Sequence, residues 1–249
     1  MIPIEYENIK TIILNSGEGK RMGHLTDNKP KCMVELNGDT ILSRQLKILE
    51  EHGLSDIIIT TGPHNENLID YSENISKNLN IDFVHNPIYD TTNYIYSLYL
   101  AKGLIKTEDV LLIHGDLFFD KEILERILKG KEYSKALINV DEKSPTKDFK
   151  AVVEDGFVKE IGVYLKDEVL FQPFYYLKNR DFKRWMESIE EFVAKGKTGV
   201  YAENALNHLL LNGNVKLKGL KFSDEFCIEI DNEKDLKKAK KYLEGYFNG

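Results

Sequence analysis

At 249 residues the chain is long enough to bury a full core and suits one large domain, with or without a sizeable insert. Its formal net charge of -7 argues against a general nucleic-acid or membrane-surface binder, which needs a basic face. Two cysteines, Cys32 and Cys227, with no CxxC pair, exclude a disulfide scaffold and a cysteine zinc site and suit a reducing compartment.

The N-terminal "MIPIEYENIK" lacks the apolar core of a signal peptide, and no run approaches the ~18 apolar residues of a membrane span, so a cytoplasmic protein is expected. The first apolar run, "TIILNS", reads as a buried strand that breaks into "GEGKRMG". There Gly17, Gly19 and Gly23 permit a tight turn with inward N–H groups, and Lys20 and Arg21 add cations, Arg21 being suited to bidentate phosphate contacts. Taken alone, this stretch fits either a phosphate cradle or a plain tight connection. It is not a P-loop, and it meets the dinucleotide GxGxxG pattern only in half. The next stretch, "NKPKCMVELNG", sets Lys29 and Lys31 around Pro30, which stiffens the segment presenting them, and the two stretches together suggest a triphosphate-sized pocket.

"ILSRQLKILEEHG", "NLIDYSENISKNL" and "YIYSLYLAKGLI" have helical periodicity and alternate with strand-like "DIIITTG", "IDFVHNP" and "DVLLIHGDLFF". This order predicts a parallel sheet with helices on both faces and a ligand site outside the carboxyl ends of the strands. Thr91, Thr92 or Asn93 is able to cap the third helix, whose Tyr94, Tyr96 and Tyr99 read first as packing residues. Asp116 ends its strand at the rim, either as a ligand or as a turn former, and neighbouring His114 reads as a locally bonded residue better than as a base. After "EILERILKG" the pattern becomes strand-rich: "SKALINVD", "DFKAVVEDGFVKEIGVYL" with a hairpin turn at Asp155 and Gly156, and "EVLFQPFYYL". Residues 142–222 therefore read as a small mixed-sheet insert within a single domain over 1–249. "DFKRWMESIEEFVAKG" and "AENALNHLLLNG" are helical, followed by strands "VKLKGLKF" and "EFCIEI" and a terminal helix whose lysines form a solvated face. In "CIEIDN" Glu229 and Asp231 share one strand face, and Asp231 is equally suited to cap the last helix.

"LNSGEGKRM" followed by "KPKCMVELNG" resembles the signature of the sugar-nucleotide and choline-type nucleotidyltransferases, with Asn15 and Ser16 where that family usually has Ala-Ala or similar small residues. "NPIYDTTNYIYSLYLA", "HGDLFF", "DFKAVV", "YAENALN" and "EIDNEKDL" extend the likeness over most of the chain, to the bacterial cytidylyltransferases that activate phosphonates or phosphocholine. "NSG", "HGDL" and "YAEN" are most similar to the phosphonate-specific group, often found beside or fused to phosphoenolpyruvate mutase.

The resemblance implies a Rossmann-like (nucleotidyltransferase, GT-A-like) fold with a mixed, mostly parallel sheet flanked by helices. It implies a Mg2+-dependent reaction of CTP with a small phosphonate, 2-aminoethylphosphonate first, and phosphocholine or a sugar 1-phosphate as alternative acceptors. Neither nucleic acid nor membrane is an expected partner, and both monomer and homodimer stay open. The metal falls to Asp116 and Asp231, with Glu229 the less favoured ligand, and catalysis to Lys31, Arg21 and the same two aspartates. Nucleotide contacts fall to Leu14, Asn15, Ser16, Gly17, Glu18, Gly19, Lys20, Arg21 and Lys31, joined by Gly62, Asn93, Ser97 and Asp116. Acceptor contacts fall to Lys150, Gln172, Tyr175, Tyr201, Glu203 and Asn204, with Glu203 meeting an ammonium and Lys150 a phosphonate. A quaternary ammonium would call for an aromatic cage, for which Trp185, Tyr175 and Tyr176 are the visible material, although Trp185 sits on an amphipathic helix and reads better as core.

Overall fold

The computed structural model describes residues 8–140, 148–222 and 225–247; the leader-free reading of residues 1–7 and the start of the 142–222 region lie outside these. Strand β1 (Ile9–Asn15) enters the middle of the molecule, where Ile12 and Ile13 are fully buried on opposite faces. A two-residue hairpin, β2 (Glu35–Leu36) and β3 (Asp39–Thr40), turns through Asn37 and Gly38 at positive φ. Helix α1 (Ile41–Glu51) starts in a capping box: the Thr40 hydroxyl accepts from the Ser43 amide, and the Ser43 hydroxyl accepts from the Thr40 amide. Then follow β4 (Asp56–Thr61), α2 (Asn65–Ile75), β5 (Asn80–His85) and α3 (Tyr94–Ala101), the last capped by Asn93.

Beyond β6 (Asp109–His114) come β7 (Leu117–Phe119), α4 (Lys121–Leu128) and β8 (Ser134–Asn139). The hairpin β9 (Lys150–Glu154) and β10 (Phe157–Gly162) turns at Asp155 and Gly156, both at positive φ, as the pairing of those residues predicts. The chain ends with β11 (Val169–Leu177), α5 (Asn179–Ala194), α6 (Glu203–Leu211), β12 (Leu217–Lys221), β13 (Cys227–Glu229) and α7 (Glu233–Phe247).

Nine strands form one sheet in the order β5-β4-β1-β6-β11-β8-β12-β10-β9. The β5-β4-β1-β6 half is parallel throughout. The other half is largely antiparallel, with β8 and β12 its parallel pair. Strand β11, from the 142–222 region, runs antiparallel between β6 and β8, so this region builds the second half of the same sheet. Alternate side chains feed two apolar clusters, one per face: Ile12, Tyr175 and Trp185 on one, Ile13, Phe174 and Tyr176 on the other. A third cluster joins α7 to Met22 of the glycine-rich loop. Among the described residues no helix is long and apolar enough to cross a membrane.

Candidate active site

The parallel strands β1 and β6 end side by side, which sets the glycine-rich loop next to Gly115 and Asp116. Gly19, at φ 66, starts a short 3₁₀ helix over Lys20–Thr26. Met22 is buried, its amide bonded to the Gly19 carbonyl, and the Thr26 hydroxyl donates to the carbonyls of Gly19 and Gly23. The loop is thus tied from inside while Arg21 points outward. Two glycines are required by close approach. A Cβ on Gly115 would lie 1.7 Å from Asn15 Oδ1, and one on Gly62 would lie 2.2 Å from the Ser16 carbonyl oxygen.

The antiparallel pair β7 and β13 supplies the second half of the site. It sets Glu229 opposite Leu117, and the Ile230 amide donates to the Asp116 carbonyl at 2.9 Å. Asp116 and Asp231 are thereby brought to one point, which Lys31 occupies. Its Nζ lies 2.6 Å from Asp116 Oδ2 and 2.6 Å from Asp231 Oδ1. Arg21 Nη2 donates to the same Asp231 oxygen at 2.7 Å. Asn232 takes over the capping of α7, its Oδ1 accepting from the amides of Lys234 and Asp235, so Asp231 is left to the site.

The charges are strongly coupled. Burial works against the Lys31 ammonium, yet Asp116 and Asp231 outweigh it and hold its pKa above the ordinary lysine value. Burial likewise opposes the charge on Asp116, which Lys31 and then His114 keep below the usual carboxylate range. Burial, reinforced by Asp116 and Asp231 and opposed by His114, raises Glu229 to about 7. His114 Nδ1 stands 3.6 Å from Glu229 Oε1.

Ligand atoms of His114, Asp116 and Glu229 lie within 4.8 Å of one another, and Asp116 Oδ1 is buried with no hydrogen-bond partner. Carboxylates converging around an orphaned oxygen, with a cation already drawn between two of them, fit a magnesium ion, which takes oxygen ligands. Asp116 is common to this cluster and to the expected pair Asp116 and Asp231, while Asp231 meets Lys31 and Arg21.

Two cavities open on this centre. One of about 160 Å³ lies between the glycine-rich loop, Arg21, Lys31, Gly115 and Asp116. The other, of about 310 Å³, runs from Ser16, Gly17 and Glu18 past Asn93, Tyr94 and Ser97 to His114 and Asp116. Leu14 and Asn15 also line the first. Lys20 is exposed and paired with Glu18 at 2.7 Å, and Lys29 is half-buried.

The residues expected at the acceptor are scattered. Tyr201 is 37% exposed, and its ring lies 5.9 Å from Tyr94 and 4.9 Å from Phe149. Asn204 is exposed on α6. Lys150 is buried, with Nζ donating to the Asp148 carbonyl at 3.1 Å. Gln172 is buried, and its Oε1 has no partner. Tyr175 and Glu203 are buried and bonded to each other at 2.6 Å, and neither lines either cavity. Trp185, Tyr175 and Tyr176 do not form a cage. All three are fully buried, and Tyr176 faces the other side of the sheet, where its hydroxyl donates to Asp109. Of these aromatic rings the larger cavity is lined by Tyr94, beside which Tyr201 and then Phe149 pack.

Three positioning residues escape sequence reading. Gln45, buried on α1, donates from Nε2 to the carbonyls of His114 at 3.0 Å and Leu117 at 2.8 Å, fixing the turn that carries Asp116. The Thr60 hydroxyl accepts from the Asn15 amide and the Ser16 hydroxyl. Asn86 donates from Nδ2 to the hydroxyls of Thr92 and Ser97. For Gln45 and Thr60 the only signal is a polar residue where the pattern expects an apolar one, and Asn86 reads simply as part of the Asn-Pro turn after β5.

Residues 11–199 match the family model of the MobA-like NTP transferase domain. Over 236 residues the chain is 28% identical to a bifunctional IPC transferase and DIPP synthase of Aquifex aeolicus, covering 93% of this chain and 51% of that protein. It is 24% identical to a CMP-5'-(3-aminopropyl)phosphonate synthase of Streptomyces rubellomurinus, covering 93% of this chain and 38% of that one. A choline-phosphate cytidylyltransferase of Streptococcus pneumoniae is 26% identical, with 94% of this chain and 98% of that one covered. The chain therefore spans about half or less of the first two relatives and nearly all of the third. In three dimensions, a CTP:phosphocholine cytidylyltransferase structure from Streptococcus pneumoniae superposes with a TM-score of 0.79 at 23% identity, covering 95% of this chain and 99% of that one.

Proposed function

The chain belongs to the MobA-like NTP transferase domain family, and from that premise we propose a cytidylyltransferase that joins CTP to a small phosphonate, 2-aminoethylphosphonate first, releasing pyrophosphate. The observation that carries the reading is Lys31 held at 2.6 Å between Asp116 and Asp231, where the glycine-rich loop and both cavities meet. Relatives that make a CMP-phosphonate or act on choline phosphate support cytosine and a small anionic acceptor.

In this reading the inward amides of Gly17 to Gly19 and the Arg21 guanidinium steady the β- and γ-phosphates. Lys31 moves from the carboxylates to the α-phosphate and meets the charge that grows there and on the leaving group. Asn93 and Ser97 bound the ribose side. The acceptor's phosphonate oxygen attacks the α-phosphorus in line; one P–O bond forms as the bond to pyrophosphate breaks. That oxygen is already anionic at neutral pH, so no side chain has to take a proton, and His114 is not needed as a base. Asp116 and Asp231 would hold magnesium, which would supply neutralisation of the phosphate charge. The chain's own contribution is positioning and charge balance.

Phosphocholine is the second reading, favoured by one observation: Tyr94 lines the larger cavity and the partly exposed Tyr201 ring lies 5.9 Å from it, aromatic surface of the kind a quaternary ammonium prefers. Pyrophosphate release should be followed with magnesium and each of CTP, UTP, ATP and GTP, crossed with 2-aminoethylphosphonate, 2-hydroxyethylphosphonate, phosphocholine and glucose 1-phosphate. The expected result is release with CTP and a phosphonate. Release with phosphocholine alone moves the assignment to the second reading, and release only with UTP or with glucose 1-phosphate overturns both.

A further inference from the structure

Glu203 is the most deeply buried carboxylate among the described residues, with 1% of its surface exposed, and both of its oxygens are taken. Oε1 accepts from the Tyr175 hydroxyl at 2.6 Å, and Oε2 accepts from the Tyr94 hydroxyl. Tyr175 is fixed in mid-sheet, paired with Leu112 and Ala136, and its ring packs 5.6 Å from Trp185. Trp185 Nε1 in turn donates to the carbonyl of Ala202, the residue before Glu203, at 3.0 Å. The start of α6 is therefore clamped to the sheet centre. A carboxylate in this state has its charge met by two phenols and gives a ligand no open path.

Tyr94 is different. It is the first residue of α3 and lines the larger cavity together with His114 and Asp116. Its ring meets His114 edge-on at 4.8 Å, and His114 faces Glu229 at 3.6 Å. One side of Tyr94 is thus wall, while its hydroxyl is the handle by which Glu203 holds it.

We propose that Glu203 is a positioning residue that never touches the acceptor: it anchors the Tyr94 hydroxyl so that the ring stands fixed against His114 and shapes the cavity in front of the acidic centre. The proposal rests on the phosphonate reading for its substrates but not for its geometry.

The test uses the whole protein and three variants: Glu203→Gln, Tyr94→Phe and the double substitution. Each keeps the shape of its side chain, and a cooperative thermal melt in each shows that the fold survives. Glu203→Gln and Tyr94→Phe should each lower kcat/KM about tenfold with 2-aminoethylphosphonate and 2-hydroxyethylphosphonate alike, and the double variant should be no worse than the poorer single. A loss confined to the amine acceptor would show that Glu203 meets the ammonium, and multiplied losses would show that the two residues act apart; either result overturns the proposal. If the wild-type protein uses neither phosphonate, the phosphonate reading fails by itself. The anchor is then read from the His114 ring-proton resonance, assigned with His114→Gln. It should move in the same direction in Glu203→Gln and Tyr94→Phe, and an unmoved resonance overturns the proposal.

Discussion

The two halves of the sheet solve opposite problems. In the parallel half, β5-β4-β1-β6, the inner strands are largely apolar, and the chemistry sits in short loops at the strand ends, where Gly19, Lys31 and Asp116 converge. In the antiparallel half, buried polar groups lie within the core itself, with Tyr175, Glu203 and Gln172 among the aromatic rings. The first half exposes charges to a ligand and balances them against one another. The second hides its charge and uses it to fix a wall. The lesson is that a carboxylate's role follows from what its two oxygens already hold. Asp116 keeps one oxygen free, and Glu203 keeps none.

Substitutions that sharpen this contrast should differ greatly in size. Asp116→Asn or Asp231→Asn removes a ligand charge from the centre and should cut turnover about 10³-fold or more while a cooperative melt persists. Turnover close to wild type in both variants would sink the assignment of these aspartates. Gly115→Ala forces a Cβ into Asn15 and should cost about 1–3 kcal/mol of stability together with most of the activity, read by thermal melting and initial rates. Gln45→Leu orphans the carbonyls of His114 and Leu117, and about 1–3 kcal/mol of stability should go with it. Unchanged stability there would mean that the β6–β7 turn is held by its backbone alone. Lys20→Ala is the smallest: an exposed lysine paired with Glu18 should leave kcat/KM within about twofold, whereas a large loss would restore it to the phosphates.

Much of the parallel half was legible beforehand because its signals are local. "GEGKRMG" shows its glycines, Pro30 presents Lys31, and Asp155 with Gly156 announces its hairpin turn. The alternatives at the acidic centre needed long-range pairing to resolve. Only the β7–β13 register brings Asp231 to Asp116, and only the Asn232 side chain shows that Asp231 is free from capping. The aromatic material for a cage is dispersed by the fold. Tyr175 and Tyr176 are neighbours in "FYYL", yet a strand sends them to opposite faces, so no cage forms from them with Trp185. Glu203 starts an amphipathic helix, and its two tyrosine partners come from α3 and β11, distant in the chain and so invisible to a local pattern. Gln45 and Thr60 are single polar residues in apolar patterns, whose partners are carbonyls and amides that composition does not reveal.

The proposed function requires the centre formed by Asp116, Asp231, Lys31 and Arg21 to receive a metal-bound nucleotide. Calorimetric titration of CTP into the wild-type protein, Asp116→Asn and Asp231→Asn, each with magnesium and with EDTA, addresses it most directly. The wild type should bind CTP at least about tenfold more tightly in magnesium, and both variants should lose that difference. Equal wild-type affinity in magnesium and EDTA, or a magnesium effect that survives both substitutions, would contradict it.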